Sequence, residues 1–588
     1  MSVYEERIRK LQVQMRVDGI QAYVIPATDP HLSEEAAERF SAIRKYFCAF
    51  QGQDGTLLVT RDEVLIFTDG RYWVEAEMEL EGTEAVLMRE GKEGVPTIRQ
   101  YIKENDLYPL GLDTSLFSLS DLNSFYAGDD KKIVSLDYSF MVEDIPPLPK
   151  GKIWKVDESL LSKTRDERIA SIIEEAEDKG AQDVVLCALD DIAYALGYRG
   201  SDIANTPVFY SYLYIENGGH LHLFIDKDKL PEDFDGDIEV HPYDEIYDFL
   251  KSRTAIVAVD TKRSNSKIIR SIQRKKAMTS PAYNQKSVKG PVEVENTIRI
   301  HELDGVCVLK LQKFIDDNVA RGDLDEYQIA QFIDAERLNQ KECYDLSFAT
   351  IAAVDSNAAM MHYGPTKEKH SDIHADSQLI LVDSGGQYYG GTTDITRTFL
   401  IGQPSAELIH DYTLTLKSQI AVSRSLFMKG CSGHSLDYPA REIMWREGLD
   451  YKCGTGHGVG YMSCVHEGPI GFRYYDSPAR DDGAVLKPGH IITIEPGVYK
   501  DGIYGIRLEN ELLVKEAFAD DQGTFYEFQT ITYCPYDRKG IDVNMLDDDE
   551  LKWLNGYMAL VRSTLAPLID KDKALLAYLY RQTEPFSR

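Results

Sequence analysis

Residues 379–399 read LILVDSGGQYYGGTTDITRTF. An apolar run ends on Asp383, turn-rich residues 384–391 follow, and Asp394 sits in a β-prone return run. The pattern is a hairpin, and a hairpin of this length can set two carboxylates side by side across the pair. Three further stretches carry residues of the same kind: CGTGHGVG at 453–460, IITIEPGVY at 491–499 and GIRLENELLV at 505–514. They add His457, Glu495 and Glu509. Glu495 closes an apolar strand and is followed by Pro496 and Gly497. In 505–514, Ile506, Leu508 and Leu512 alternate with Arg507, Glu509 and Glu511, so Glu509 can face a polar site while its neighbours fill a core. His457 stands between glycines, whose missing side chains let another backbone approach closely.

Asp383, Asp394, Glu495 and Glu509 bring four negative charges, which two divalent cations would balance. Without cations the cluster would repel itself and hold protons in part. Oxygen ligands with one imidazole favour a borderline-hard ion, manganese first, with cobalt, zinc or iron as alternatives. Two such ions can share one hydroxide and polarise a carbonyl, which is the chemistry of hydrolysis. Taken singly, an Asp at a strand end caps a turn and a Glu in a strand is solvated. For five such residues in apolar strands that reading fails, because burying unpaired charge is too costly. For Glu511 it is retained: a solvated strand residue.

The whole chain sets the frame. At 588 residues it is too long for one core, and three or four domains are expected. The net charge of -32 argues against a nucleic-acid partner and reads as solubility. No run approaches the roughly 18 apolar residues of a membrane span. The first residues, MSVYEERIRKLQVQMRVDG, are charged and amphipathic, unlike a signal peptide. Eight scattered cysteines without a CxxC pair fit reduced thiols in a cytoplasm.

Four segments are expected. Residues 1–150 open with a helix at 4–18, with Ile8, Leu11 and Met15 on one face, followed by the strands IQAYVIPA and the hairpin GTLLVTRDEVLIFTDGRY. A Pro-rich stretch, DIPPLPKGKIW, reads as a linker. Residues 151–290 repeat the layout: RIASIIEEAEDKGAQDVVLCALDD parallels RIRKLQVQMRVDGIQAYVIPATDP, and VFYSYLYIENGGHLHLFID parallels the first hairpin. Neither half shows a dense polar cluster, so both are assigned to scaffold, dimer surface or cleft wall. Residues 291–521 begin with a long helix whose apolar face is Ile300, Leu303, Cys307, Leu311 and Phe314, then a second helix, LDEYQIAQFIDAERL. Strands SFATIAAV, LILVDSG and TTDITRTF follow, then helices at 406–427 and 438–446 before the strands of Glu495 and Glu509. Helix pair then hairpin, twice, predicts a sheet with helices on one face and pseudo-twofold symmetry. Residues 522–588 hold aromatic strands (FYEFQTITYCPYD) and a helix whose positive end carries the acidic run 547–550.

With VDSGxxxxGxTTDxTRTF, GTGHGVG, VHEGP, IEPGVY and GIRLEN in this order, the chain resembles the pita-bread metallopeptidases, and within them the Xaa-Pro aminopeptidase branch in its long cytosolic, three-domain form. The resemblance covers essentially the whole chain and is strongest over roughly residues 345–535. It implies an α/β (α+β) architecture of two creatinase-like N-terminal α/β domains, a pita-bread catalytic domain and a short C-terminal extension. It also implies a homodimer and removal of the N-terminal residue from peptides with proline second. Asp383, Asp394, His457, Glu495 and Glu509 would hold two metal ions, Asp394 and Glu509 bridging them. Glu495 would also accept the proton of the attacking water. His466, in SCVHEGP, would hydrogen-bond the scissile carbonyl oxygen, an oxyanion-hole role. His362, in MMHYGP, would line the site. Arg507 and Tyr499 would shape the side that receives proline. That substrate is physically distinctive, since an Xaa-Pro bond has no N–H to donate.

One departure stands out. The family's usual histidine four residues before the metal histidine is Cys453 here, which puts the proline-side preference in question; no base marks this thiol as a nucleophile. The loop ahead of the metal site, AAVDSNAAMMHYGPTKEKHSD, also differs from the family's glycine-rich form. Among other histidines, His220 and His222 lack a visible third ligand and are expected on an exposed strand face. His370 and His374 are expected to meet solvent or the far end of the substrate, and His31 to be structural. Two other functions compete with the aminopeptidase: a prolidase-type Xaa-Pro dipeptidase using the same metals, and a metal-free pita-bread binding or chaperone module. The double N-terminal domain argues against the first and against a methionine aminopeptidase; the complete ligand set argues against the second.

Overall fold

The computed structural model describes residues 2–126, 132–475 and 482–588. They form two compact units, one lying within residues 2–156 and 163–284, the other within 157–162 and 285–588.

The first unit carries two six-stranded sheets of the same topology. In one the strands run Ala85–Arg89, Val64–Thr68, Thr56–Thr60, Ala22–Ile25, Leu110–Leu112, Ile133–Ser135; in the other Ile238–His241, Leu221–Phe224, Tyr212–Ile215, Asp183–Leu186, Ile256–Val259, Arg274–Ala277. Numbered within each half, both read 4-3-2-1-5-6, so the parallel seen in residue patterns is a repeat of fold. Each half opens with an amphipathic helix, Val3–Val17 and Arg165–Asp178, both closed by capping boxes (Ser2 with Glu5, Thr164 with Glu167). Ile8, Leu11 and Met15 are buried as the helical spacing requires, each worth about 1.5–3 kcal/mol of transfer free energy.

The second unit is built on the helix Pro291–Asn318. Its middle is enclosed on more than one side: Val306 and Leu309 join one core, while Cys307, Val308 and Leu311 join another. Leu303 and Phe314, expected in the core, are only half-buried, and the polar His301, Asp304 and Gln312 are buried instead. A single apolar stripe therefore under-describes this helix. The predicted hairpin forms: Leu379–Ser384 pairs antiparallel with Ile395–Leu400, Asp383 opposite Thr396, and with Ile351–Val354 on its other side. A second, six-stranded sheet carries Gly456–Gly458, Ile491–Ile494 and Asn510–Asp520. The helix expected over 406–427 is Ala406–Ser423, because Leu426–Met428 leaves it to pair with Gly523–Thr530. The C-terminal helix Asp548–Leu565 starts at an Asp547–Glu550 capping box, and a further helix, Lys573–Gln582, closes the chain. Among the described residues no helix is long and apolar enough to cross a membrane.

Candidate active site

The three-stranded sheet of Ile351–Val354, Leu379–Ser384 and Ile395–Leu400 and the six-stranded sheet of the second unit deliver their acidic residues to one place. Asp383 lies at the end of its strand opposite Thr396, and Asp394 two residues before Thr396, so the hairpin register sets them diagonally. The third strand is tied in by the backbone: Glu509 N–H donates to the Thr396 carbonyl (3.1 Å), and Thr396 Oγ1 donates to Glu509 Oε2 (2.7 Å). Glu495 N–H donates to the Thr455 carbonyl at 2.8 Å, fixing Glu495 two residues from His457 across the strand pair. The glycines flanking His457 are needed for contact. A Cβ on Gly456 would sit 1.9 Å from the Thr493 carbonyl oxygen, and one on Gly458 2.3 Å from that of Glu467.

His457 Nδ1 lies 2.9 Å from the Gly458 carbonyl oxygen, leaving Nε2 to face the carboxylates, 3.5 Å from Asp394 Oδ2 and 3.5 Å from Glu495 Oε1. Asp394, His457 and Glu509 offer ligand atoms all within 4.8 Å of one another. Burial, reinforced by neighbouring carboxylates, pushes Asp394 and Glu509 well above the usual carboxylate range. Asp383 Oδ1 is buried without a hydrogen-bond partner. An orphaned carboxylate oxygen beside two carboxyls that cannot ionise alone is the signature of a missing cation, so the residues fit a metal centre. A pair of divalent ions would supply the charge that four carboxylates need.

The remaining predicted residues surround this cluster. Arg507 is buried; its Nη2 donates to Asp383 Oδ2 (2.6 Å), its Nε to Thr396 Oγ1 (3.0 Å) and its Nη1 to the Tyr499 hydroxyl (2.9 Å). Cys453 packs with Tyr499 beside Leu414, Tyr451 and Val498. Burial, with the Glu495 carboxylate, pushes its thiol up to about 12, so it stays protonated and is no nucleophile. The His466 ring meets His457 edge-on at 4.3 Å between centroids. His362 is half-buried in the turn after Met361, whose carbonyl oxygen is 3.5 Å from Arg507 Nη2.

Two supports were not foreseen. Glu511, expected to be solvated, is fully buried: its Oε1 accepts the Asp394 N–H (2.7 Å) and pairs with His301 Nε2 (3.1 Å). Strand alternation identifies a polar face but not whether that face meets water. The signal for His301 was a histidine and Asp304, three residues apart and so on one face of the helix run RIHELDGVCV. Arg397, in TTDITRTF, is buried too; it donates to the Glu509 carbonyl (2.5 Å), Asn510 Oδ1 (2.8 Å) and the Tyr557 hydroxyl (2.9 Å), bracing the site from the C-terminal region. His301→Ala strips the buried Glu511 carboxylate of its counter-charge. It is expected to cost about 3–5 kcal/mol, read from the denaturant midpoint, against little change if the pair carries no charge.

Outside this cluster, His370 and His374 are exposed, with His370 Nδ1 3.0 Å from the Thr366 carbonyl oxygen. His31 is buried, held by the Cys187 carbonyl (2.6 Å) and the Tyr243 hydroxyl (2.7 Å). The exposed-face expectation for His220 and His222 fails for His222, which is only 4% exposed. The expectation that neither N-terminal half holds a dense polar cluster fails with it, because the adjoining strand supplies Glu239 and His241.

Known proteins align with the whole chain. The family model of metallopeptidase family M24 matches residues 295–516, and that of its C-terminal region 524–586. Creatinase/prolidase N-terminal domain models match 7–141 and 144–293. The probable Xaa-Pro aminopeptidase P of Pyricularia oryzae is 32% identical over 624 residues, covering 99% of each chain. Xaa-Pro aminopeptidase 2 of Mus musculus is 32% identical over 610 residues, covering 99% of this chain and 89% of its own. Among solved structures, the X-prolyl aminopeptidase of Caenorhabditis elegans superposes with a TM-score of 0.93 at 28% identity over 100% of both chains; it is described as a cytosolic enzyme with a di-nuclear active site.

Proposed function

This chain belongs to the Xaa-Pro aminopeptidases of metallopeptidase family M24, and on that premise we propose that it removes the N-terminal residue from peptides with proline in second position. The observation that carries the proposal is the convergence of Asp383, Asp394, His457, Glu495 and Glu509 on one buried acidic cluster, in a chain similar over its full length to such enzymes. These five residues would hold two divalent ions, manganese being the first choice for a set of oxygen ligands with one imidazole. When bound, the ions supply Lewis acidity toward a carbonyl and lower the pKa of water.

The chain's own residues do the rest. Glu495 accepts the proton of the attacking water at its carboxylate and passes it toward the leaving proline nitrogen. His466 donates a ring N–H to the carbonyl oxygen as negative charge develops there. His362 lines the site and helps orient the substrate or shuttle protons. Arg507 and Tyr499 form the polar wall of the proline side and Cys453 its apolar wall. The Arg507–Asp383 ion pair supports this placement, since it joins that wall directly to a metal ligand. The same reading divides the chain near residues 150, 290 and 521 and gives a homodimer in the cytoplasm.

The assay that tests the activity compares Xaa-Pro dipeptides with Xaa-Pro-Yaa peptides. Cleavage of the longer peptides supports the aminopeptidase; turnover confined to dipeptides makes the protein a prolidase-type enzyme. Cys453→His is expected to leave the fold intact and to shift KM for proline peptides while kcat changes little. Unchanged KM and kcat would place Cys453 off the substrate path.

A further inference from the structure

In the second sheet of the first unit, three imidazoles and a carboxylate meet on one face. The strands Leu221–Phe224 and Ile238–His241 pair in parallel, with His222 opposite Glu239 and Phe224 opposite His241. Side chains of alternate residues share a face, so His222 and His241 meet there beside Glu239, and His220 joins from the turn before its strand. That turn is closed by Glu216 N–H donating to the His220 carbonyl (3.0 Å), with Gly219 at a φ of +83° that a side chain would resist.

His220, His222 and Glu239 offer ligand atoms all within 4.8 Å of one another, and His241 lies beside them. His220 Nε2 is 3.1 Å from Glu239 Oε2, and Glu239 Oε2 is 3.5 Å from His222 Nδ1. His222 Nδ1 is 3.1 Å from His241 Nε2, and His241 Nε2 is 3.4 Å from Glu239 Oε1. A tetrahedron around an ion with bonds of 2.0–2.1 Å has edges of about 3.3–3.4 Å.

The surroundings complete the arrangement. His222 Nε2 lies 3.2 Å from Glu216 Oε1, and Glu216 is held by Arg253 Nη1 at 3.0 Å. Arg253 Nη2 is 3.3 Å from the same imidazole nitrogen. In the tautomer that donates Nε2–H to Glu216, rather than accepting there from Arg253, Nδ1 presents its lone pair inward, as in the carboxylate–histidine pairs that orient metal ligands. Phe249 packs against His222 (4.8 Å between centroids) and Phe224 stacks on His241 (4.8 Å), giving an apolar floor. His220 and Glu239 are about half exposed, leaving an entry path from solvent.

We propose that His220, His222 and Glu239, with His241 beside them, form a divalent transition-metal site, with zinc the ion best suited to imidazoles and a carboxylate. An ion held there pins the strand at the edge of the sheet, 238–241, to its neighbour, because Glu239 lies on the one and His222 on the other.

The test uses the full-length protein, incubated with zinc and dialysed, with metal counted per chain and the melting temperature measured with and without zinc. His220→Ala and Glu239→Gln change half-exposed residues, so the sheet persists. Each is expected to lose one zinc per chain and the zinc-dependent part of the melting shift, with peptidase activity unchanged. Glu216→Gln is expected to weaken that zinc by about 10–100-fold through the lost partner of His222. Equal zinc content and an equal zinc-induced shift in wild type and variants would overturn the site.

Discussion

Glu509→Gln is expected to abolish turnover and to remove at least one of the two metal ions from the purified protein. Glu509 is 1% exposed, and Thr396 Oγ1 already donates to one of its oxygens. An amide keeps one oxygen and replaces the other with an N–H2 group that cannot ligate, so the centre loses both a donor and a charge. Asp394→Asn acts in the same way. Full turnover with both ions retained would exclude Glu509 from the centre. The metal-depleted proteins add a check whose sign runs the other way. Burial and the neighbouring carboxylates raise the Glu509 pKa above its unfolded value of about 4.3, so the folded protein binds more protons than the unfolded chain between those two values. Stability from this group is therefore full below about pH 4.3 and falls as pH rises toward the folded pKa. Stripped of metal at neutral pH, Glu509→Gln should melt higher than wild type, and the gap should close as the solution is acidified. A gap independent of pH would mean that Glu509 is not strained in the empty cluster.

His466→Ala should lower kcat by roughly two to three powers of ten, about 2.7–4 kcal/mol, while both metal ions stay bound. The imidazole stands edge-on to His457 at the cluster but belongs to a different strand end, outside the five carboxylate and imidazole donors assigned to metal. Loss of metal in step with kcat would make His466 a ligand; an unchanged kcat would remove it from the reaction altogether.

The chemistry was legible where local pattern and burial coincide. Asp383 and Asp394 could be paired from a single hairpin, and Arg507 and Glu509 placed on one face by alternation, because both inferences need only neighbours in sequence. Glu511 could not, because the same alternation describes a wet face and a buried one; only His301, two hundred residues earlier on a helix, shows which it is. His222 was misplaced for the same kind of reason. Its partners Glu239 and His241 lie on a short strand, Ile238–His241, too weakly patterned to announce its register. The helix expected to reach Phe427 stops at Ser423 because pairing with a strand a hundred residues later outweighs local helix propensity. Arg397 is the converse: a charge inside an apolar strand was visible, but its work of tying Glu509 to Tyr557 depends on a tertiary neighbour.

The central claim is that this acidic cluster holds two ions and uses them on proline peptides. Metal-depleted protein titrated with manganese, with bound ion counted and cleavage of a short Xaa-Pro-Pro peptide followed at each step, tests it most directly. Activity should rise from background and saturate as the ions fill the cluster, with Xaa released as the free amino acid. Cleavage indifferent to metal, or no ion held by the cluster, would contradict it.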